Sequence, residues 1–180
     1  NLDDVNHLEY IESHMELPEM ICFRYNPGPM QYGNDLIGNP RDAKFGVTRE
    51  QLFEGYRRAK KKGVKRFGLH TMPISNELHA NYFIESAHEF FTHAKEIEEK
   101  VGIKFEFVNL GGGLGIPYKL EDKEFDLDTY SNGIRKAYED TFGKHASIKI
   151  FLECGRYVTG PFGYLVSRVR HVKESYKNYV

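Results

Sequence analysis

Three consecutive glycines directly after an apolar run are the part of this sequence best suited to binding chemistry. Residues 105–110 are typical of a strand buried on both faces, and Gly111, Gly112 and Gly113 follow them. Glycines let the backbone approach an anion closely, so their N–H groups can all point at one cluster of oxygen atoms. The stretch lacks the Lys-Ser/Thr ending of a P-loop and a helix-opening GxGxxG with a later acidic residue. It therefore predicts a phosphate-binding turn and argues against an ordinary mononucleotide or dinucleotide site.

Other residues that could contact a small ligand stand where further apolar runs end. They share a position at or just beyond the carboxyl end of a predicted strand, and they are Asn26, His70, Ser75, Glu153, Gly155 and Arg156. A carboxylate at the end of an apolar strand is costly to bury without a partner, and Arg156 follows Glu153 by three residues. The pair is therefore either part of a ligand site or a structural ion pair.

Four apolar runs predict the strands that position these residues, at residues 20–25, 64–71, 105–110 and 147–154. Helices are predicted between them. A capping box at Thr48-Arg49-Glu50-Gln51 starts one helix and Gly63 stops it, a second helix carries an apolar stripe from Tyr82 to Ile97, and a third spans residues 128–142. A helix start is also predicted at Asn1, and residues 29–45 have the composition of a long loop.

This alternation predicts an α/β fold of about four parallel βα units with right-handed crossovers. It corresponds either to part of a (β/α)8 TIM barrel or to a small open sheet. The barrel is preferred because the candidate residues gather at strand carboxyl ends, although an open sheet would also bind ligands there. Residues 1–162 are predicted to be the C-terminal half of the barrel. Residues 163–180 alternate partly, as a half-exposed strand crossing into a β-rich domain would.

Length and charge favour a globular chain with one good core and no nucleic-acid partner. The 180 residues include 25 basic and 26 acidic ones, so the chain is close to neutral. The basic run from Arg57 to Lys62 lies at the end of a predicted helix, where cations interact favourably with the helix dipole. This position favours a solvated helix end over a nucleic-acid-binding patch. Cys22 and Cys154 are too few and too far apart for a disulfide scaffold, which favours a reducing compartment. With no signal peptide or long apolar run, we expect a cytoplasmic protein that contacts no membrane.

Five short motifs occur in order along essentially the whole chain. They are Phe23-Arg24-Tyr25-Asn26-Pro27-Gly28, Lys44-Phe45-Gly46, Gly68-Leu69-His70, NLGGGLGIPY at residues 109–118 and Glu153-Cys154-Gly155-Arg156-Tyr157. In this order they resemble diaminopimelate decarboxylase, one of the pyridoxal-phosphate decarboxylases with an alanine-racemase-like barrel.

The resemblance implies roles for individual residues around pyridoxal 5'-phosphate. The backbone of the glycine turn, with Gly155, Arg156 and the hydroxyl of Ser75, would bind the phosphate. Glu153 would face the pyridine nitrogen and favour the protonated ring. Arg156 would also reach a substrate carboxylate, while His70 and Arg24 would line the cofactor cavity; no metal site is implied.

The resemblance also implies parts that this sequence lacks. The family's Schiff-base lysine is expected upstream of residue 1, because Lys44 belongs to another motif. A Cys-Glu acid pair, shared across a homodimer interface, is expected downstream of residue 180. The sequence has no initiating Met, so we expect an internal fragment of a longer chain, with no catalytic residue of its own. The full-length protein would convert the amino acid meso-2,6-diaminopimelate to L-lysine, and the fragment alone would be inactive.

Two departures from the family pattern leave the substrate open. Met72-Pro73-Ile74-Ser75 replaces His-Ile-Gly-Ser, whose histidine stacks on the ring, and Cys154 replaces a proline. The thioether of Met72 could pack on the ring face instead. Ornithine, arginine or carboxynorspermidine are alternative substrates. A non-catalytic relative is the other alternative, and the presence of Glu153, Gly155 and Arg156 together argues against it.

The same residues also have ordinary structural interpretations. Glycines after a strand often form only a tight turn, a histidine on an apolar strand is often a hydrogen-bonded core residue, and a methionine often only packs. Ser75 precedes a long helix and could be its N-terminal cap.

Overall fold

The computed structural model describes residues 1–28 and 42–180, so most of the loop predicted at residues 29–45 lies outside the described residues. Helices are α1 (His7–Glu12), α2 (Arg49–Lys61), α3 (Ala80–Ile97), α4 (Leu127–Phe142) and α5 (Gly155–Thr159). Strands are β1 (Met20–Tyr25), β2 (Arg66–Thr71), β3 (Phe105–Asn109), β4 (Lys149–Phe151), β5 (Lys173–Glu174) and β6 (Asn178–Tyr179). A π-helical turn at Glu98–Gly102 follows α3, and a 3-10 turn at Gly160–Phe162 follows α5.

The first four strands form one parallel sheet in the order β1-β2-β3-β4. Strand order follows chain order, without the reversal that creates the crevice of a doubly wound sheet. Helix α3 packs against both α2 and α4. Consecutive parallel strands with neighbouring connecting helices are the arrangement of a partial (β/α)8 barrel, so the predicted α/β class is confirmed.

An aromatic core between the sheet and its helices holds these elements together. Tyr56 of α2 is fully buried, and its ring makes edge contacts with Phe23, Phe67 and Phe105 on three different strands. Its hydroxyl donates to the carbonyl of Gly68 at 2.6 Å and accepts from the backbone N–H of Phe23 at 3.3 Å. This one side chain therefore joins a helix to β1, β2 and β3.

The helix signals of the sequence act as expected. The hydroxyl of Thr48 accepts from the N–H of Gln51, whose side chain accepts in return from Thr48, so the capping box is present. Gly63, with a φ of +91°, directly follows the C-terminal cap of α2. The α3 stripe is buried except for the half-buried Tyr82. The opening helix is shorter than predicted, because Leu2 pairs with Phe23 beside β1 instead.

Near the carboxyl end, one predicted strand is present but shorter than expected, and a second strand prediction is wrong. The strand predicted at residues 147–154 is paired only at Lys149–Phe151, so Cys154 lies beyond it. Residues 163–172 form no strand, and the only pairing after them joins the two-residue strands β5 and β6. Phe151 and Leu152 are each 46% exposed, and Tyr164 is 92% exposed. Apolar composition predicted strands here, but within the described residues little packs against these side chains.

Candidate functional site

A row of polar side chains crosses the sheet one residue before β1 ends and where β3 ends. Arg24 pairs in register with His70, and His70 pairs with Asn109. Register partners on parallel strands point to the same face. The preceding residues of the three strands, Phe23, Leu69 and Val108, are fully buried. The polar row therefore occupies the opposite face, at the carboxyl ends of the strands.

Glu153 joins this row beside the glycine turn. The backbone N–H of Glu153 donates to the carbonyl of Gly111 at 2.7 Å, and that of Leu110 donates to Phe151 at 3.0 Å. The Glu153 carboxylate accepts a hydrogen bond from Asn109 Nδ2 at 2.8 Å, and its side chain is 54% exposed. The structure thus brings together the acidic group and the glycine turn, as predicted.

The three glycines are required by close contacts between strand ends. Gly111 and Gly113 have φ of +70° and +91°, a region that favours glycine. A Cβ on Gly111, Gly112 or Gly113 would come within 2.2–2.4 Å of a backbone oxygen. Those oxygens belong, respectively, to Thr71, Glu153 and Ile74. The turn is therefore wedged between the ends of β2 and β4.

The amides of the turn do not all point at one anion, which corrects the expectation from sequence. The N–H of Gly111 donates to Asn109 Oδ1 at 2.9 Å, and that of Gly112 donates to the sulfur of Met72 at 3.0 Å. Within the described residues, only the N–H of Gly113 in this turn lacks a hydrogen-bond partner. The Met72 thioether therefore holds the turn.

His70 is buried with one ring nitrogen unsatisfied. Its Nδ1 contacts Asn1 Nδ2 at 2.7 Å, while Nε2 has no hydrogen-bond partner among the described residues and lies 3.8 Å from Glu153 Oε1. Burial lowers the pKa of His70, against the opposing effect of the Glu153 carboxylate. The imidazole is therefore neutral at pH 7, and its free nitrogen faces the acidic group.

Arg156 and Glu153 are not partners, so the structural ion-pair interpretation is wrong. Arg156 Nη1 donates to the hydroxyl of Tyr118 at 2.9 Å, with its guanidinium 5.6 Å from the centre of that ring. No salt bridge joins Arg156 to Glu153 in the described parts of the chain. Both side chains remain able to meet a ligand.

The structure also describes the remaining residues singled out from the sequence, which are Ser75, Gly155 and the two cysteines. Ser75 is half-buried in the loop after β2 and is not a helix cap, since α3 starts at Ala80 with His79 as its N-cap. The N–H of Gly155 donates to the carbonyl of Glu153 at 2.9 Å. Both cysteines are free thiols, and burial raises the pKa of Cys22 to about 12.

Exposure differs within the site, since Glu153 is half-exposed and His70 is buried. A cavity of about 500 Å³ is lined by Ile116, Phe125, Tyr157 and Pro161, among others, but not by Glu153 or His70. Residues 1–28 and 42–180 contain no cluster of side chains that could hold a metal ion, and none of their helices is long and apolar enough to cross a membrane.

The residues present fit pyridoxal phosphate, the cofactor that the resemblance implies. Glu153 offers an oriented carboxylate for a basic ring nitrogen, and the unsatisfied Nε2 of His70 faces the same space. The unpaired N–H of Gly113 and the guanidinium of Arg156 are donors suited to a phosphate. Sequence reasoning missed Asn109 as a site residue, although its place at a strand end, two residues before Gly111, was a usable signal.

Comparison with known proteins gives matches that agree with a pyridoxal-binding site. The family described as "Pyridoxal-dependent decarboxylase, pyridoxal binding domain" matches residues 1–160. The chain is 35% identical to protein TabA of Pseudomonas amygdali pv. tabaci, over 93% of this chain and 39% of that protein. It is 33% identical to the diaminopimelate decarboxylase of Methanothermobacter thermautotrophicus, over 88% of this chain and 38% of that protein.

Solved structures show the same similarity. The crystal structure of diaminopimelate decarboxylase from Methanocaldococcus jannaschii has a TM-score of 0.79 and 27% identity, covering 97% of this chain and 42% of that one. The same enzyme in complex with L-lysine has a TM-score of 0.78 and 28% identity, with the same coverage. The chain thus spans about two fifths of the length of these relatives.

Proposed function

This chain belongs to the pyridoxal-dependent decarboxylases and carries their pyridoxal-binding domain, and from that premise we propose that the complete protein converts meso-2,6-diaminopimelate to L-lysine. In that reaction the bond between the α-carbon and one carboxylate breaks, carbon dioxide leaves, and a proton takes its place. Relatives named diaminopimelate decarboxylase, at 32% to 34% identity, support this substrate. Since the chain spans only part of those relatives, the activity is proposed for the complete protein.

The observation that carries the proposal is the position of Glu153 against the glycine turn. When bound, pyridoxal phosphate accepts the electron pair that the α-carbon retains as carbon dioxide departs. Glu153 would hold a proton on the ring nitrogen, which strengthens that electron withdrawal. Its carboxylate is suited to the task because it is half-exposed, oriented by Asn109 at 2.8 Å, and not neutralised by Arg156.

His70 would support this role by remaining neutral. Its burial lowers its pKa, so at pH 7 it places no second positive charge beside Glu153. A neutral His70 forms no ion pair with Glu153, although the two side chains are 3.8 Å apart, so the carboxylate stays available to the ring nitrogen. His70 would line the cofactor space through its unsatisfied Nε2.

The phosphate would be held at the other end of the site by the N–H of Gly113, the guanidinium of Arg156, the hydroxyl of Ser75 and the segment that begins at Gly155. A guanidinium and backbone amides together suit an anion of about two charges. The amides of Gly111 and Gly112 already donate to Asn109 and Met72, so they would shape the site rather than contact the phosphate. Arg156 could also bind a substrate carboxylate.

The remaining parts of the proposal concern the complete protein. We assign residues 1–162 to the cofactor-binding barrel and residues 163–180 to the crossover into a second domain. The complete protein would be a cytoplasmic homodimer. Light scattering of the purified complete protein should give twice the chain mass, and a monomer that is fully active would contradict the dimer.

The main alternative is a decarboxylase of the same fold with another amino-acid substrate. The 35% identity to TabA, a protein not named for diaminopimelate, and the departures at Met72 and Cys154 favour keeping this possibility. Ornithine, arginine and carboxynorspermidine are the candidates. They differ from diaminopimelate in lacking its second amino-acid centre or in chain length, so a single site would not accept all of them equally.

Release of carbon dioxide from a panel of these amino acids would decide between the two. With cofactor-loaded complete protein, we expect kcat/KM for meso-diaminopimelate to exceed that for each of the other three by about a hundredfold or more. A preference for ornithine, arginine or carboxynorspermidine would replace the proposed substrate. No release from any of the four, with cofactor bound, would contradict the proposal for these substrates as a group.

A further inference from the structure

Asn109 makes two hydrogen bonds that link the parts of the site. Its Oδ1 accepts from the N–H of Gly111 at 2.9 Å, and its Nδ2 donates to Glu153 Oε1 at 2.8 Å. A backbone N–H can only donate, so the oxygen of the amide must face Gly111 and the NH₂ group must face Glu153. Both ends of one amide are therefore used, in a fixed orientation.

The Glu153 carboxylate has little else to hold it. Its side chain is 54% exposed, and the separation of 3.8 Å from His70 Nε2 is too long for a hydrogen bond. Among the described residues Asn109 is its only hydrogen-bond partner. An exposed glutamate without such a partner would sample several rotamers, and a site gains from a group held in one geometry.

We propose that Asn109 is a positioning residue that couples the conformation of the glycine turn to the orientation of Glu153. This inference rests on the proposed function, in which Glu153 faces the ring nitrogen. With Oε1 bound to Asn109, Oε2 is left for the ring. The same amide anchors Gly111, whose φ of +70° begins the turn, so the two ends of the cofactor site are set by one side chain.

Two substitutions separate the two hydrogen bonds. Asn109→Asp keeps an acceptor for Gly111 but loses the donor and places a second carboxylate about 3 Å from Glu153. Asn109→Leu has a similar size and removes both bonds. Asn132→Asp, on the exposed surface of α4, adds the same charge away from the sheet and is the matched control.

The variants are compared in the complete protein by two measurements. Hydrogen exchange of the Gly111 amide is followed in cofactor-free protein, and the Kd for pyridoxal phosphate and kcat are measured by titration and turnover. We expect Asn109→Leu to speed Gly111 exchange about tenfold or more, and Asn109→Asp to leave it near the wild-type rate. Both should lower kcat about tenfold or more with KM changed less, while Asn132→Asp matches wild type.

The outcomes distinguish this inference from the proposed function. Unchanged Gly111 exchange in Asn109→Leu, or a kcat for Asn109→Asp equal to that of Asn132→Asp, would overturn the positioning role. Wild-type protein that fails to bind pyridoxal phosphate would instead contradict the proposed function. The exchange measurement on cofactor-free protein would still report whether Asn109 holds the turn.

Discussion

The body formed by β1, β2, β3 and their helices differs sharply from the segment that begins at β4. Phe23, Leu69 and Val108 in the body are fully buried, whereas Phe151 of β4 is 46% exposed and Tyr164 is 92% exposed. Yet the less packed segment supplies Glu153 and Arg156. The body is therefore held by apolar burial, while the functional groups are placed by a few hydrogen bonds between the end of β3 and the end of β4. Stability and chemistry should consequently respond to different substitutions.

The largest effect should come from removing the aromatic ring that joins the body. Tyr56→Ala deletes a fully buried ring, and we expect a loss of about 3–5 kcal/mol in the free energy of unfolding. Tyr164→Ala, in the exposed segment, should change it by less than about 0.5 kcal/mol. Native-state hydrogen exchange of β1 and β2 amides in the complete protein measures both. Equal effects at the two tyrosines would contradict the difference in packing between the two regions.

The next largest effect should be a fall in kcat with no change in the free energy of unfolding. Glu153→Gln keeps size and the hydrogen bond from Asn109 but removes the charge, so we expect kcat to fall about a hundredfold or more. Exchange of the β1 and β2 amides should stay unchanged. Glu121→Gln, another exposed acid in the loop before α4, is the control and should keep full activity. An unaffected kcat in Glu153→Gln would remove the assigned role.

A third substitution tests the contact between the two regions. A Cβ on Gly112 would lie 2.2 Å from the backbone oxygen of Glu153, so Gly112→Ala must displace the end of β4 and should cost about 1–3 kcal/mol. Gly163→Ala meets no atom within 4 Å and should be nearly neutral. Exchange of amides in β3 and β4 is the appropriate measurement. Identical exchange in the two variants would show that the close approach of Gly112 to the backbone of Glu153 does not constrain β4.

The smallest effect is a pH dependence shared by the buried His70 and the half-buried His93. Burial lowers the pKa of both His70 and His93. The pKa of a histidine in the unfolded chain is about 6.5, so below that pH the unfolded state binds more protons than the folded state. The free energy of unfolding therefore falls as the pH falls from there toward the lower folded-state pKa. We expect His70→Gln and His93→Gln each to flatten the stability profile between about pH 7 and 5. Cofactor binding should alter the His70 contribution but not that of His93, which lies in the body; an equal response at both would contradict the assignment of His70 to the site.

Much of the fold could be predicted because its signals are local. The capping box at Thr48, the stop at Gly63 and the α3 stripe each depend on residues within one element, and all are present. The proximity of Glu153 to the glycine turn was also predictable, since parallel strands bring their carboxyl ends to one edge.

The rest depends on which distant groups meet, and a sequence does not show this. Arg156 pairs with Tyr118, 38 residues away, instead of the nearby Glu153. Asn109 reaches Glu153 across 44 residues, so its role became visible only with the sheet assembled. The length of β4 was overestimated because apolar composition shows that Phe151 and Leu152 favour burial, but not what would cover them.

The central claim is that Glu153 holds a proton on the pyridine nitrogen of the bound cofactor. The most direct test is the nitrogen-15 chemical shift of ring-labelled pyridoxal phosphate bound to the complete protein, with and without Glu153→Gln. We predict the shift of a protonated pyridine in wild type and that of an unprotonated pyridine in the variant. A protonated shift in both, or an unprotonated shift in wild type, would contradict the account.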